Sequence, residues 1–297
     1  MSIRLDPNLL PDLLTAVQQS EQNMNIATQQ LASGRSVNQL SDDPAAVAAL
    51  VGNHDRAGQD DQFVRNVSSL QARFQVADST LSNVVTVLTR AVTIGTEGAN
   101  GTLSASDRQA VAGEVQGLTS QLLSLANTSY QGTYIFSGTA VKTQPFTLNT
   151  TTNAVAYNGD GNTTSVELSS GNPINTNVPG SQVFQNGSGN AFGALQNLNA
   201  ALLSGNNIGA AVTQVQDALS QVSTQRVFYG NALNQITLSE SFLSQEKVNL
   251  SSQENSLVGV DPAKAASDLV QAQVANQAIL AASGRVLSLP TLLSFLK

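Results

Sequence analysis

The 297-residue sequence has no cysteine, no tryptophan and a single histidine, His54. Without cysteine there is no disulfide framework, no thiolate nucleophile and no zinc knuckle. With one histidine, His-rich metal sites, Ser-His triads and histidine general bases all rest on a single side chain. That residue lies in "GNHDRAGQDD", a polar, charged stretch where it reads as solvated or helix-capping. Aromatic residues make up 4% of the chain and charged residues 11%, so Gln, Asn, Ser and Thr must supply the polar surface. That balance favours extended helical assemblies over a compact enzyme core, in a chain long enough for two or three small domains. A net charge of -7 argues against a nucleic-acid footprint. The opening "MSIRLDPNLLPDLL" lacks the sustained apolar core and small-residue cleavage site of a secretory signal. The longest uncharged helical stretch, 269–284, is interrupted by Gln271, Gln273, Asn276, Gln277 and Ser283, too short and too polar to span a bilayer. A soluble chain is expected, with no membrane and no nucleic acid as partner.

What the sequence does contain is heptad spacing, apolar residues alternating three and four apart along one face of a supercoiling helix. Phe63, Val67, Leu70, Phe74, Ala77, Leu81, Val84, Leu88 and Ala91 keep that rhythm unbroken. A second helix is expected from "SASDRQAV", with Ser106 and Gln109 as a capping box, through Val111, Val115, Leu118, Leu122 and Leu125. A third keeps only half the pattern. Tyr229, Ile236, Leu243, Leu250 and Leu257 fall seven apart, with largely polar residues at the intervening core-like positions.

Both ends carry weaker stripes. Leu13, Val17, Ser20, Met24, Ala27 and Leu31 alternate until Ser33-Gly34; Leu269, Ala272, Asn276, Ile279, Ser283 and Val286 repeat the rhythm after Asp261-Pro262. Each mixes large residues with Ala, Ser or Asn, so either helix alone is marginal in water and needs a partner face. On this reading Leu13, Val17, Met24, Leu31, Leu269, Asn276, Ile279 and Val286 form a self-assembly surface. Asn276 is a candidate for fixing register as buried polar residues do in coiled coils, or else a solvent-facing residue on a broad helix.

Between the helical halves, residues 133–190 shift to Thr, Asn, Gly and β-branched runs. "TYIFSG", "PFTLN", "AVAYNGD", "TSVELSSG" and "SQVFQNG" read as short strands. The expected fold is therefore mainly α, with coiled-coil terminal helices (1–40 plus 262–297), a central helical bundle (41–132 plus 205–261) and an inserted β-rich domain (133–204).

Two adjacent carboxylates, Asp42 and Asp43, invite a metal or acid/base reading. Asp43 stands before Pro44, however, an N-cap followed by a residue suited to the first helical position, and Asp261-Pro262 repeats the arrangement. Asp42 is expected to act through the helix dipole or by bonding loop amides. Gly34, Asn38, Asp42, Asp43, Pro44, Asp261 and Pro262 thus read as a domain joint and its caps. "NGDGN" lacks the Glu of a calcium loop, and no Gly-Lys-Ser/Thr phosphate loop is present. No catalytic residue, cofactor or metal is expected. A hydrolase using Asp42/Asp43 or Asp160/Glu167 is the enzyme alternative, and a secreted coiled-coil translocator or adhesin is another.

These residues resemble the bacterial flagellin family. Leu31, Ser33, Gly34, Asn38, Asp42, Asp43, Pro44 and Ala45 match its N-terminal signature, with Ser36 standing where a basic residue is common. Ala126, Asn127, Gly132, Tyr134, Ile135, Phe136, Gly138, Thr143, Pro145 and Phe146 are similar to the part of the family found where hook meets filament. "VQAQVANQAILAASGRVLSLPTLLSFL" is similar to the shared C-terminus. The resemblance implies a flagellin-like long-helix bundle and an extracellular structural adaptor at the hook-filament junction, exported without a cleaved signal peptide. It implies as partners further copies of itself, the hook-side junction protein, flagellin and a cytoplasmic export chaperone. A short flagellin that forms the filament itself is the nearest alternative.

Overall fold

A computed structural model describes residues 9–101, 103–149, 151–187 and 189–287. Among them are seven helices: α1 (Leu9–Ser33), α2 (Pro44–Ala99), α3 (Ala105–Ala126), α4 (Gly180–Phe184), α5 (Ala191–Ser204), α6 (Ile208–Val258) and α7 (Pro262–Leu287). Eight short strands pair as four antiparallel hairpins: β1 (Ser129–Tyr130) with β2 (Thr133–Tyr134), β3 (Phe146–Leu148) with β4 (Val155–Tyr157), β5 (Ser165–Ser169) with β6 (Asn172–Asn175), and β7 (Gln185–Asn186) with β8 (Gly189–Asn190). The chain divides into two compact units, residues 1–58 with 246–297, and residues 59–245; the division falls inside α2 and α6.

The 59–245 unit holds a contiguous hydrophobic core. The long stripe of α2 is buried from Val67 to Ala91, as its heptads require, and Phe63 packs at the edge. On α6, Tyr229, Ile236 and Leu243 are buried, and the same seven-residue step continues upstream through Val222 and Val215. The second heptad position of α6 is Ala218, Gln225, Ala232, Ser239 and Glu246 in turn; Ala218, Ala232 and Ser239 are buried and Gln225 and Glu246 half-buried, so the polar half of the stripe is largely covered.

Helix α3 starts differently from the expected Ser106–Gln109 box. Its N-cap is Ser104, whose hydroxyl accepts from the Asp107 amide at 3.2 Å, while Asp107 Oδ2 accepts from the Ser104 amide at 3.2 Å and from its hydroxyl at 2.7 Å. An aspartate three residues on closes the box as a glutamine would. Ser106 falls inside the first turn.

The hairpins are fastened to the helices by an aromatic cluster. Phe184 meets Phe136 and Phe146 edge-on, with ring centroids 5.3 and 5.4 Å apart, and Phe146 also lies against Tyr157 and Phe192 of α5. The segment "SQVFQNG" is not a single strand. After Pro179 it makes one turn of helix, α4, before entering β7. The reason is burial: Val183 and Phe184 are both fully inside, which a helical turn allows and the alternating faces of a strand do not. "TYIFSG" forms only a two-residue strand for the same reason, since Ile135, Phe136 and Ser137 are buried in succession.

Candidate assembly interface and joint

In the unit formed by 1–58 and 246–297, α1 packs against α7. An antiparallel bridge between Arg35 and Gly259 joins the end of α1 to the approach to α7, so the two helices run in opposite directions. The Ser36 amide donates to the Val258 carbonyl at 2.7 Å and the Val260 amide to the Gly34 carbonyl at 3.1 Å. Gly34 has φ 69°, a left-handed conformation open to glycine, and its amide returns to the Gln30 carbonyl at 2.9 Å to close the helix end. Arg35 and Glu254 form an ion pair beside the bridge.

The two adjacent aspartates have separate tasks. Asp42 Oδ2 accepts from the amides of Asn38 and Gln39, both at 2.9 Å, while the Asn38 side chain donates to the Arg35 carbonyl at 3.0 Å. Asp43 Oδ1 accepts from the amides of Ala45 and Ala46, both at 3.0 Å, and caps α2. Asp261 Oδ1 does the same for α7, taking the Ala263 amide at 2.9 Å and the Lys264 amide at 3.4 Å. Pro44 and Pro262 are the first residues of their helices. All three carboxylates therefore hold backbone donors that a helix start or tight loop leaves unpaired. Among the described residues, no cluster of three potential metal-ligating side chains occurs, and His54 is exposed on α2. Asp160, in the other unit, accepts from the Thr139 amide and hydroxyl and the Asn162 amide, which hold its carboxyl below the usual carboxylate range.

Of the eight residues picked out by spacing along α1 and α7, six are partly covered. Leu13, Val17 and Met24 of α1 and Leu269, Asn276 and Ile279 of α7 are half-buried. Leu31 is exposed, and the Val286 side chain lies outside the described residues. Among the described residues of the seam between the two helices, full burial is reached only by Ser20, Ala27 and Ala265. The hydroxyl of Ser20 has no hydrogen-bond partner among the described residues.

Spacing alone misses a second set. Leu14 and Ile26 on α1, and Val270, Val274 and Leu280 on α7, are large, apolar and about half exposed or more. The signal was the doublets Leu13-Leu14, Leu269-Val270 and Ile279-Leu280, which place one apolar residue on the seam and its neighbour off it. On α7, Val270 and Val274 stand one turn apart on the side away from the seam. An open groove of about 390 Å³ runs between the helices, lined equally by polar residues (Asn23, Gln30, Asp268, Gln271) and apolar ones (Ile26, Ala27, Ala272, Ala275). No helix among the described residues is long and apolar enough to cross a membrane.

Residues 11–140 match the bacterial flagellin N-terminal helical region, and residues 212–296 match the bacterial flagellin C-terminal helical region. The chain is similar to flagellar hook-associated protein 3 of Salmonella typhimurium, 28% identical over 276 residues, covering 84% of this chain and 86% of that protein. It is also similar to flagellin B of Helicobacter pylori, 25% identical over 170 residues, 57% of this chain and 33% of that one. Its fold is similar to that of the flagellar junction protein FlgL from Legionella pneumophila, with a TM-score of 0.61 at 18% identity over 71% of this chain and all of the other.

Proposed function

The chain belongs to the bacterial flagellin family, and from that premise we propose that it is a structural adaptor of the flagellum, joining hook to filament and supporting flagellin assembly. The observation that carries this reading is the near end-to-end likeness to a hook-associated protein, over 84% of this chain and 86% of that one. The likeness to a flagellin covers only a third of the flagellin.

The half-closed α1/α7 pair supports a mechanism for assembly. A single copy leaves Leu14, Ile26, Val270, Val274 and Leu280 in water. Burying the half of each such side chain that remains exposed against a neighbouring subunit contributes about 1 kcal/mol. Closing α1 onto α7 from an unfolded chain would otherwise join segments more than two hundred residues apart in sequence. The bridge at Arg35–Gly259 holds their adjoining ends together, so only local zippering remains and the loop-closure entropy is already met. The terminal pair orders fully when neighbouring copies cover it, and assembly free energy offsets the ordering entropy.

On this reading the terminal segments 1–40 and 262–297 act as the assembly element, 41–132 with 205–261 as the self-sufficient bundle, and 133–204 as the inserted element. The partners are further copies, the hook-side junction protein and flagellin, with a cytoplasmic chaperone holding the C-terminal helix before export. The location is extracellular, reached without a cleaved signal peptide, and no catalytic step is involved.

A deletion strain tests the role. Loss of this protein should leave hooks intact while flagellin is shed unpolymerised into the medium, and restoring the gene should restore filaments. Normal filaments in the deletion strain would reject the adaptor reading, and growth of the purified protein alone into long filaments would replace it with that of a short flagellin.

A further inference from the structure

Three Asn-Gly steps occur among the described residues, at Asn100-Gly101, Asn158-Gly159 and Asn186-Gly187. Such a step is chemically self-reactive. The glycine amide nitrogen, after losing its proton to a solvent base, attacks Cγ of the preceding asparagine. A C–N bond forms, the Cγ–Nδ2 bond breaks and ammonia leaves, giving a five-membered succinimide. Water then opens the ring to aspartate or isoaspartate, so that amide plus water becomes acid plus ammonia with no redox change. The local structure decides whether the attack geometry is reached, because the side chain and the following amide must both turn freely.

The three steps differ in that respect. Asn158 is exposed but tied at both its backbone and its side chain. Its amide nitrogen donates to the Pro145 carbonyl at 2.7 Å and its side chain to Thr147 Oγ1 at 3.0 Å. Gly159 is enclosed, the position a Cβ would take lying 2.5 Å from the Tyr157 ring and 2.7 Å from the Ser137 carbonyl. Asn186 is exposed and its backbone pairs with Gly189 in the β7–β8 hairpin, while Gly187 has φ 55° and open space around its α-carbon. Asn100 is exposed just past the last residue of α2, tied only by its amide to the Glu97 carbonyl at 3.3 Å, with no side-chain partner among the described residues. Gly101 has φ 67° and open space around its α-carbon. A helix end of this kind frays at almost no free-energy cost.

We propose that Asn100-Gly101 is a spontaneous modification site of the folded protein, converting through the succinimide to aspartate and isoaspartate, while Asn158-Gly159 is protected by the fold. The product carries a new negative charge at the C-terminal end of α2, where the helix dipole already places negative potential. The isoaspartate form also lengthens the backbone of the short turn that leads to the Ser104–Asp107 capping box.

Hydroxylamine, which captures succinimides and cleaves the chain there, reads the site directly. The native full-length protein, treated at mildly alkaline pH and mapped by mass spectrometry, should be cut between Asn100 and Gly101 at least about tenfold faster than between Asn158 and Gly159, the ratio expected when one step is already open and the other must first open locally. In urea all three steps should be cut at similar rates. Asn100→Gln, whose longer side chain disfavours the ring, should abolish the first cut and leave the rest of the pattern unchanged. Equal native rates at Asn100 and Asn158, no native cut at Asn100, or a persistent cut in the Asn100→Gln variant would each overturn the assignment.

Discussion

The two units are built from the same kind of helix but differ in what they bury. In the 59–245 unit, large side chains such as Phe74, Leu81, Leu88, Phe146, Phe184 and Tyr229 are fully inside one continuous core. In the other unit, the buried apolar residues among those described are Ala27, Ala46, Leu250, Val258 and Ala265. Three of these five are alanines, whose burial removes little apolar area from water. One unit therefore has its own driving force for folding, and the other buries little apolar area of its own. Similar heptad rhythm does not mean similar stability; the size of the residue at each buried position decides it.

The widest test of that contrast is hydrogen exchange on the monomer. Amides in 13–31 and 265–283 should open locally, while those in 67–94 and 212–243 exchange only through global unfolding, a separation on the order of 5 kcal/mol. Strong protection of 13–31 before assembly would erase the distinction between the units. A core truncation comes next. Phe146→Ala, at the centre of the aromatic cluster, should cost the 59–245 unit about 3–5 kcal/mol in urea denaturation, and a loss below about 1 kcal/mol would show that the cluster does not anchor the hairpins.

A smaller effect sharpens the view of the joint. Asp43→Ala removes the cap of α2 and should cost about 1 kcal/mol, seen as faster exchange at 45–50 with the unfolding midpoint of the 59–245 unit unchanged. The smallest effect is a pH dependence inside that unit. Hydrogen bonds from Thr139 and Asn162 keep the Asp160 carboxyl below its ordinary value of 3.8. Its contribution is present above that value and is lost as pH falls through the lower, folded value. Acidification through this window should lower the melting temperature more steeply in the native protein than in Asp160→Asn; parallel curves would count against the assignment.

Much of this was legible in the residues. The α2 stripe announces its own buried face, because period and side-chain size agree over nine successive positions. Asp43-Pro44 and Asp261-Pro262 announce two helix starts, because capping is a local contact between neighbours in sequence. Asp42 was less legible, since its amide partners lie back along a loop whose path only the folded chain defines. The helical turn inside "SQVFQNG" was hidden because burial of Val183 and Phe184 against distant aromatics selects it over a strand, whereas the Ser104–Asp107 box competes with Ser106–Gln109 only locally.

The sequence by itself determined where the helices run, where they stop and which ends are too weakly apolar to stand alone, because periodicity, caps and side-chain size are properties of neighbouring residues. Only the tertiary structure decided that α1 closes on α7 through Arg35 and Gly259, that Ala218, Ala232 and Ser239 of α6 are buried, and that Asn158 is tied to Pro145 and Thr147 while the Asn100 side chain is not tied among the described residues. Each depends on residues brought together from far apart in the chain, and burial and hydrogen bonding are set by that proximity.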